Sequence, residues 1–165
     1  MPFLETNAVA GSSARHLPAV WLWLAGALLV ARGAVHVYQH GHPPRLRDLV
    51  QWVDVTVAKA TAKKQGMPVL YDFSATWCAP CKQMNKEIFS NTEYASMINE
   101  KFVPVRIYDD DSGAAVDKLR KRFNIRAYPT LVLTSSSGKE FKSHRGYGGV
   151  NGTLRWLKKT AAGLK

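Results

Sequence analysis

Apolar and polar positions divide the chain into three regimes. From Leu17 to Ala31 the sequence reads LPAVWLWLAGALLVA without a charge, and apolar residues continue to Tyr38, interrupted by Arg32 and His36. A helix rises about 1.5 Å per residue and needs roughly 20 residues to cross the hydrocarbon core, so residues 17–38 predict a single N-terminal transmembrane helix. Arg32 would snorkel at one end, and Trp21 and Trp23 would sit in the interfacial belt at the other. Three readings compete: a retained signal anchor, a signal peptide cleaved near Leu29-Val30-Ala31 or Ala31-Arg32-Gly33, and a buried helix of the domain. The retained anchor is adopted, because the preceding tail, residues 1–16, is long and the extended segment can span. Arg15 precedes the segment whereas Arg32, Arg45 and Arg47 follow it. The positive-inside count therefore does not favour an exported C-terminus.

Residues 39–46 include QHGHPP, the composition of a short stem. His36, His40 and His42 have no nearby cysteine or carboxylate to complete a metal shell, so a solvated stem is the simpler reading. Beyond it, residues 47–165 show the periods of an α/β domain. Leu46, Leu49, Val50, Val53, Val57 and Ala60 fall at helical spacing, and Gly66 and Pro68 end that helix. Val69 to Phe73 is a short run suited to a buried central strand. A helix follows over 79–89, and Ser90-Asn91-Thr92-Glu93 resembles a capping box opening another helix. Residues 102–108 predict a strand, 109–113 a turn, and a helix then runs to Phe123. Strands over 130–134 and 140–144 flank the turn Ser135-Ser136-Ser137-Gly138-Lys139, and a helix over 150–162 closes the chain.

Composition limits what this arrangement can be. The 165 residues are 46% hydrophobic and 21% charged, which is globular and sufficient for one domain with a short appendage. Lys and Arg number 23 against 12 Asp and Glu, a net charge of +11. The densest basic stretch, Lys118-Leu119-Arg120-Lys121-Arg122, alternates with Val116, Leu119 and Phe123 at helical spacing. It reads as a solvated face, and no nucleic-acid module accompanies it.

The chain has 2 cysteines, Cys78 and Cys81. That excludes a multi-bridge scaffold and a four-cysteine zinc site. Cys78-Ala79-Pro80-Cys81 lies at the exit of the predicted central strand and the start of a helix. Unpaired backbone N–H groups and the helix dipole there stabilise a thiolate on Cys78, making it the nucleophile. Cys81, one turn further in, is placed to resolve a mixed disulfide. Pro80 near the helix start forfeits no hydrogen bond. A zinc half-site would need two further ligands, and a staple closing so small a loop would restrain little of the unfolded chain.

Trp77-Cys78-Ala79-Pro80-Cys81-Lys82 resembles the active site of the thioredoxin family. Asp72, six residues before Cys78, matches the family's buried acid, and Phe123 to Thr130 is similar to the segment that carries the cis-proline loop. The resemblance covers about residues 47–163 and implies a thioredoxin fold, a central mixed β-sheet flanked by helices. Lys86 stands where thioredoxin itself has a helix proline. The stretch Lys82 to Asn91 looks more like the thioredoxin-like domains related to the C-terminal, periplasmic domain of DsbD. By the same resemblance Arg106 takes the place of a lysine near the buried acid. Cys78 and Cys81 are then the redox disulfide, and Asp72 assists proton transfer or is simply a structural acid. Trp77, Tyr128 and Pro129 form the substrate-binding surface, with the Tyr128 backbone offered as an edge to an extended client.

The expected function is a membrane-tethered thiol-disulfide oxidoreductase, a reductase or exchange protein held by a single pass in the inner membrane with its C-terminal domain in the periplasm. A soluble periplasmic form after cleavage is the alternative localisation. An oxidase, an isomerase or a non-catalytic thiol-holding factor in cytochrome maturation are the alternative functions. No nicotinamide or flavin fingerprint is present and no cofactor or metal is expected. Electrons would come from a partner protein, and the substrates would be protein thiols and disulfides.

Overall fold

The computed structural model describes residues 19–41 and 48–164. The expected N-terminal tail, most of the expected stem, and with it His42, lie outside the described residues.

One unit holds the helix α1, Ala19–Gly41. Its predicted apolar surface is present and uncovered: Val20, Trp21, Leu22, Trp23, Leu24, Leu28, Leu29, Val30 and Val35 are all exposed. Among the described residues no helix is long and apolar enough to cross a membrane. The charge-free stretch ends at Arg32, and Gly33 and His36 dilute the turns beyond it.

The second unit is an α/β domain around a four-stranded mixed sheet. Its strands are β1 Val69–Ser74, β2 Val103–Tyr108, β3 Thr130–Thr134 and β4 Phe141–Arg145, in the order β2-β1-β3-β4. β1 runs parallel to β2 and antiparallel to β3, and β3 pairs antiparallel with β4. All six residues of β1 are buried, as its mostly apolar run, interrupted by Asp72, requires of a strand with a neighbour on each side and helices on both faces.

Side chains alternate across the sheet and build two cores. On one face Val69, Tyr71, Phe73, Val103, Val105 and Val132 pack with Ala58 and Ala62 of α2, Val55–Gln65, and with Val116 and Phe123 of α5, Ala114–Phe123. On the other, Leu70, Leu131 and Leu133 pack against residues of four helical elements. Those are α3, Ala79–Met84; a π-helical turn, Asn85–Phe89; α4, Thr92–Lys101; and α6, Val150–Gly163. The expected thioredoxin-like order of elements is therefore present.

Three local expectations change. The helix expected from Leu46 onward starts at Val55, because Asp54 caps it through the Thr56 N–H while residues 51–53 carry no regular structure. That segment lies along the domain instead, with Leu49 N–H donating to Phe89 O and Val53 N–H to Pro104 O. The cap of α4 is Asn91, which accepts from Glu93 and Tyr94 N–H, and not Ser90. In the basic stretch, Arg120 donates to the carbonyls of Tyr108, Asp109 and Asp111 and so pins the β2–α5 turn, whereas Lys118 stays exposed.

Candidate active site

Strand β1 delivers the chain to Ala75, and the turn Thr76-Trp77 leads into α3 with Cys78 as its N-cap. The Cys78 side chain does there what a serine or aspartate cap does: its Sγ accepts the Cys81 N–H at 3.2 Å. The two sulfurs form a disulfide, S–S 2.09 Å with Cα atoms 5.3 Å apart. Cys78 is 4% exposed and Cys81 1%, so both are buried in the disulfide form. Ala75, Cys78 and Cys81 make a small cluster against which the Tyr128 ring packs.

Tyr128 precedes Pro129 through a cis peptide bond, as the family pattern implied. Pro129 leads straight into β3, and its carbonyl accepts the Gly146 N–H at 2.8 Å. Trp77 is 68% exposed, unusual for so large an apolar side chain. Its indole N–H donates to Asp109 Oδ2 at 2.6 Å, and its ring meets Tyr128 edge-on at 6.1 Å between centroids. The rim of the disulfide is thus an aromatic pair held by Asp109, which follows β2 in the turn expected over 109–113.

Asp72 is fully buried on the sheet face shared with Leu70. Helix α3 and the π-helical turn cover that face with Met84, Ile88 and Phe89. Across the parallel register stands Arg106, whose Nε donates to Asp72 Oδ2 at 2.7 Å. The same guanidinium donates through Nη1 to Asp48. It also lies over the Trp52 ring at 4.1 Å from the centroid and over Phe89 at 4.9 Å. Burial raises the Asp72 pKa above the usual carboxylate range; Arg106 opposes the rise and the Asp48 charge adds to it. Burial works against the charge on Arg106, but the two carboxylates outweigh it and raise its pKa further.

Asp48 and Trp52 are the residues that sequence reasoning missed. The available signal was Arg106 itself, a lone cation inside a buried strand, which obliges acids to be nearby. Among the described residues no group of three or more His, Cys, Asp or Glu is arranged to hold a metal ion.

Comparison with known proteins agrees with this geometry. The family model of the thioredoxin-like domain matches residues 55–161. The thiol:disulfide interchange protein DsbD of Actinobacillus pleuropneumoniae is 34% identical over 101 residues, covering 60% of this chain and 17% of that protein. The chain therefore spans about a sixth of that relative's length. Among solved structures, the DsbH oxidoreductase superposes with a TM-score of 0.58 at 18% identity, covering 75% of this chain and 94% of the other. The oxidised C-terminal domain of Neisseria meningitidis DsbD does so at 0.52 and 20% identity, covering 66% and 97%. With the C-x-x-C disulfide capping α3 and the cis-proline loop packed against it, the chain belongs to the thioredoxin-like domain family.

Proposed function

We propose that this protein reduces or exchanges disulfides of client proteins in the periplasm, where α1 associates it with the membrane. The observation that carries the reading is the position of Cys78. Its sulfur caps α3, so on reduction a thiolate there is stabilised by the Cys81 N–H and the helix dipole. The Cys78 thiolate attacks one sulfur of a client disulfide and displaces the other as a thiolate. Cys81, once its thiol has lost a proton to Asp72, attacks the Cys78 sulfur. The second client thiolate leaves, and the Cys78–Cys81 disulfide closes. Two electrons pass to the client, and a partner protein returns them to the disulfide.

Trp77, Tyr128 and Pro129 supply the client surface in this reading, because the exposed indole and the Tyr128 ring border the disulfide. Membrane association is supported by the uncovered apolar surface of α1, and periplasmic placement by the likeness to DsbD. The division into a tail (1–16), an anchor (17–38), a stem (39–46) and a redox domain (47–165) belongs to the same proposal. A reporter fused to the C-terminus tests it: an extracytoplasmic signal is expected, and a cytoplasmic one overturns the localisation. The direction of exchange is tested by equilibrating the Cys78–Cys81 pair against glutathione buffers. A potential far below that of strongly oxidising members, about −120 mV, is expected; a value near it assigns the oxidase role instead.

A further inference from the structure

The Arg106 guanidinium is divided between two acids in a way that leaves matching groups unused. An arginine beside a carboxylate ordinarily engages both oxygens with two parallel N–H donors. Here Nε reaches Asp72 Oδ2, yet Arg106 Nη2 and Asp72 Oδ1, both buried, have no hydrogen-bond partner among the described residues. The third arm, Nη1, is committed to Asp48. Asp48 cannot follow the guanidinium toward Asp72, because its Oδ1 accepts the Val50 N–H at 3.0 Å and the Trp52 indole N–H at 2.8 Å. The Trp52 ring covers the guanidinium face. Asp48 and Trp52 together hold the fork short of a two-armed grip on Asp72.

We propose that Asp48 is a positioning residue of the redox centre: by holding one arm of Arg106, it keeps Asp72 Oδ1 open to accept the Cys81 thiol proton. The inference rests on the reading of Asp72 as that acceptor. The charged groups facing Asp72 are Arg106 from β2 and Asp48 from the 48–54 segment, with the Tyr108 hydroxyl acting on Arg106. β3 sets Leu131 opposite Asp72; of the covering helices, α3 carries the buried Cys81, the proton donor of this proposal, and otherwise they present Met84, Ile88 and Phe89, none of which titrates. When Asp48 lets go, the guanidinium closes on both oxygens of Asp72. The carboxylate is then a satisfied anion and a poorer proton acceptor.

The test compares Asp48→Asn with the parent in the full chain, both reduced. Carbon-detected NMR follows the Asp72 carboxyl titration, and stopped flow follows the pH profile of glutathione disulfide reduction. In Asp48→Asn the Asp72 midpoint is expected to fall by about one pH unit, a tenfold loss of proton affinity. The acid limb of the rate profile is expected to move with it. An unmoved midpoint in a folded variant overturns the positioning role. Should Asp48→Asn not fold, Trp52→Phe keeps an aromatic ring over Arg106 and removes only the indole N–H that holds Asp48. A smaller shift of the same sign is then expected, and no shift overturns the proposal. Asp72→Asn separates the two levels: if its rate profile matches the parent's, the acceptor reading fails and the inference with it, whatever the Asp48 variants show.

Discussion

Arg106 stands opposite Asp72 in the parallel β1–β2 register and gives Asp72 Oδ2 its Nε–H at 2.7 Å, where neither side chain meets water to any extent. Burial nonetheless leaves the carboxyl with a raised pKa. An acid raised above its unfolded value of 3.8 binds its proton more tightly in the folded state. Its contribution to stability is therefore fully present below that value and declines as pH rises through the folded pKa. Asp72→Asn removes the decline, since Arg106 keeps Asp48. The variant is expected to be more stable than the parent at pH 7, by about 1.4 kcal/mol for each pH unit of the rise. Denaturant unfolding at several pH values checks it: the difference should shrink as pH falls toward 3.8.

Removing the cation has the opposite sign. Arg106→Ala leaves Asp48 and Asp72 buried without their shared counter-charge and strips the cover from Trp52 and Phe89. A loss of about 3 to 5 kcal/mol is expected. Thermal unfolding measures it, and a melting temperature within a few degrees of the parent's would contradict the description of this cluster.

At the rim, the Trp77 indole N–H bonds Asp109 and the ring meets Tyr128. If this aromatic pair is a client surface and not part of the chemistry, Trp77→Ala raises KM for a protein disulfide several-fold. Reduction of a small disulfide such as glutathione disulfide should proceed at nearly the parent's rate. Equal losses with both substrates would place Trp77 in the chemistry. Asp109→Asn weakens the hydrogen bond and should give the same split in milder form, since a hydrogen bond to a charged group is worth about 1.5 to 3 kcal/mol.

The strand-to-helix junction was legible because Val69 to Phe73, the C-x-x-C and Pro80 each impose a local requirement, and all three requirements agree. Tyr128 and Pro129 were legible through the family pattern. The segment before α2 was not, because Leu49, Val50 and Val53 satisfy helical spacing and also serve a chain lying along the domain. Asp54 with Thr56 was the cue that moved the helix start. Asp48 and Trp52 escaped because their significance lies in Arg106, which is 58 positions from Asp48. A single chain pattern does not encode such a contact. In α1 the apolar character was plain from the run of leucines and tryptophans, and Trp21, Trp23, Leu28 and Leu29 are exposed along it.

The most direct measurement of the central claim uses Cys81→Ala in living cells, with thiols quenched by acid and adducts identified by mass spectrometry. Exchange through Cys78 with resolution by Cys81 predicts client proteins held by mixed disulfides to Cys78, released by dithiothreitol and absent when Cys78 is also replaced. A folded Cys81→Ala protein that captures no client, or captures it equally well without Cys78, would contradict the account.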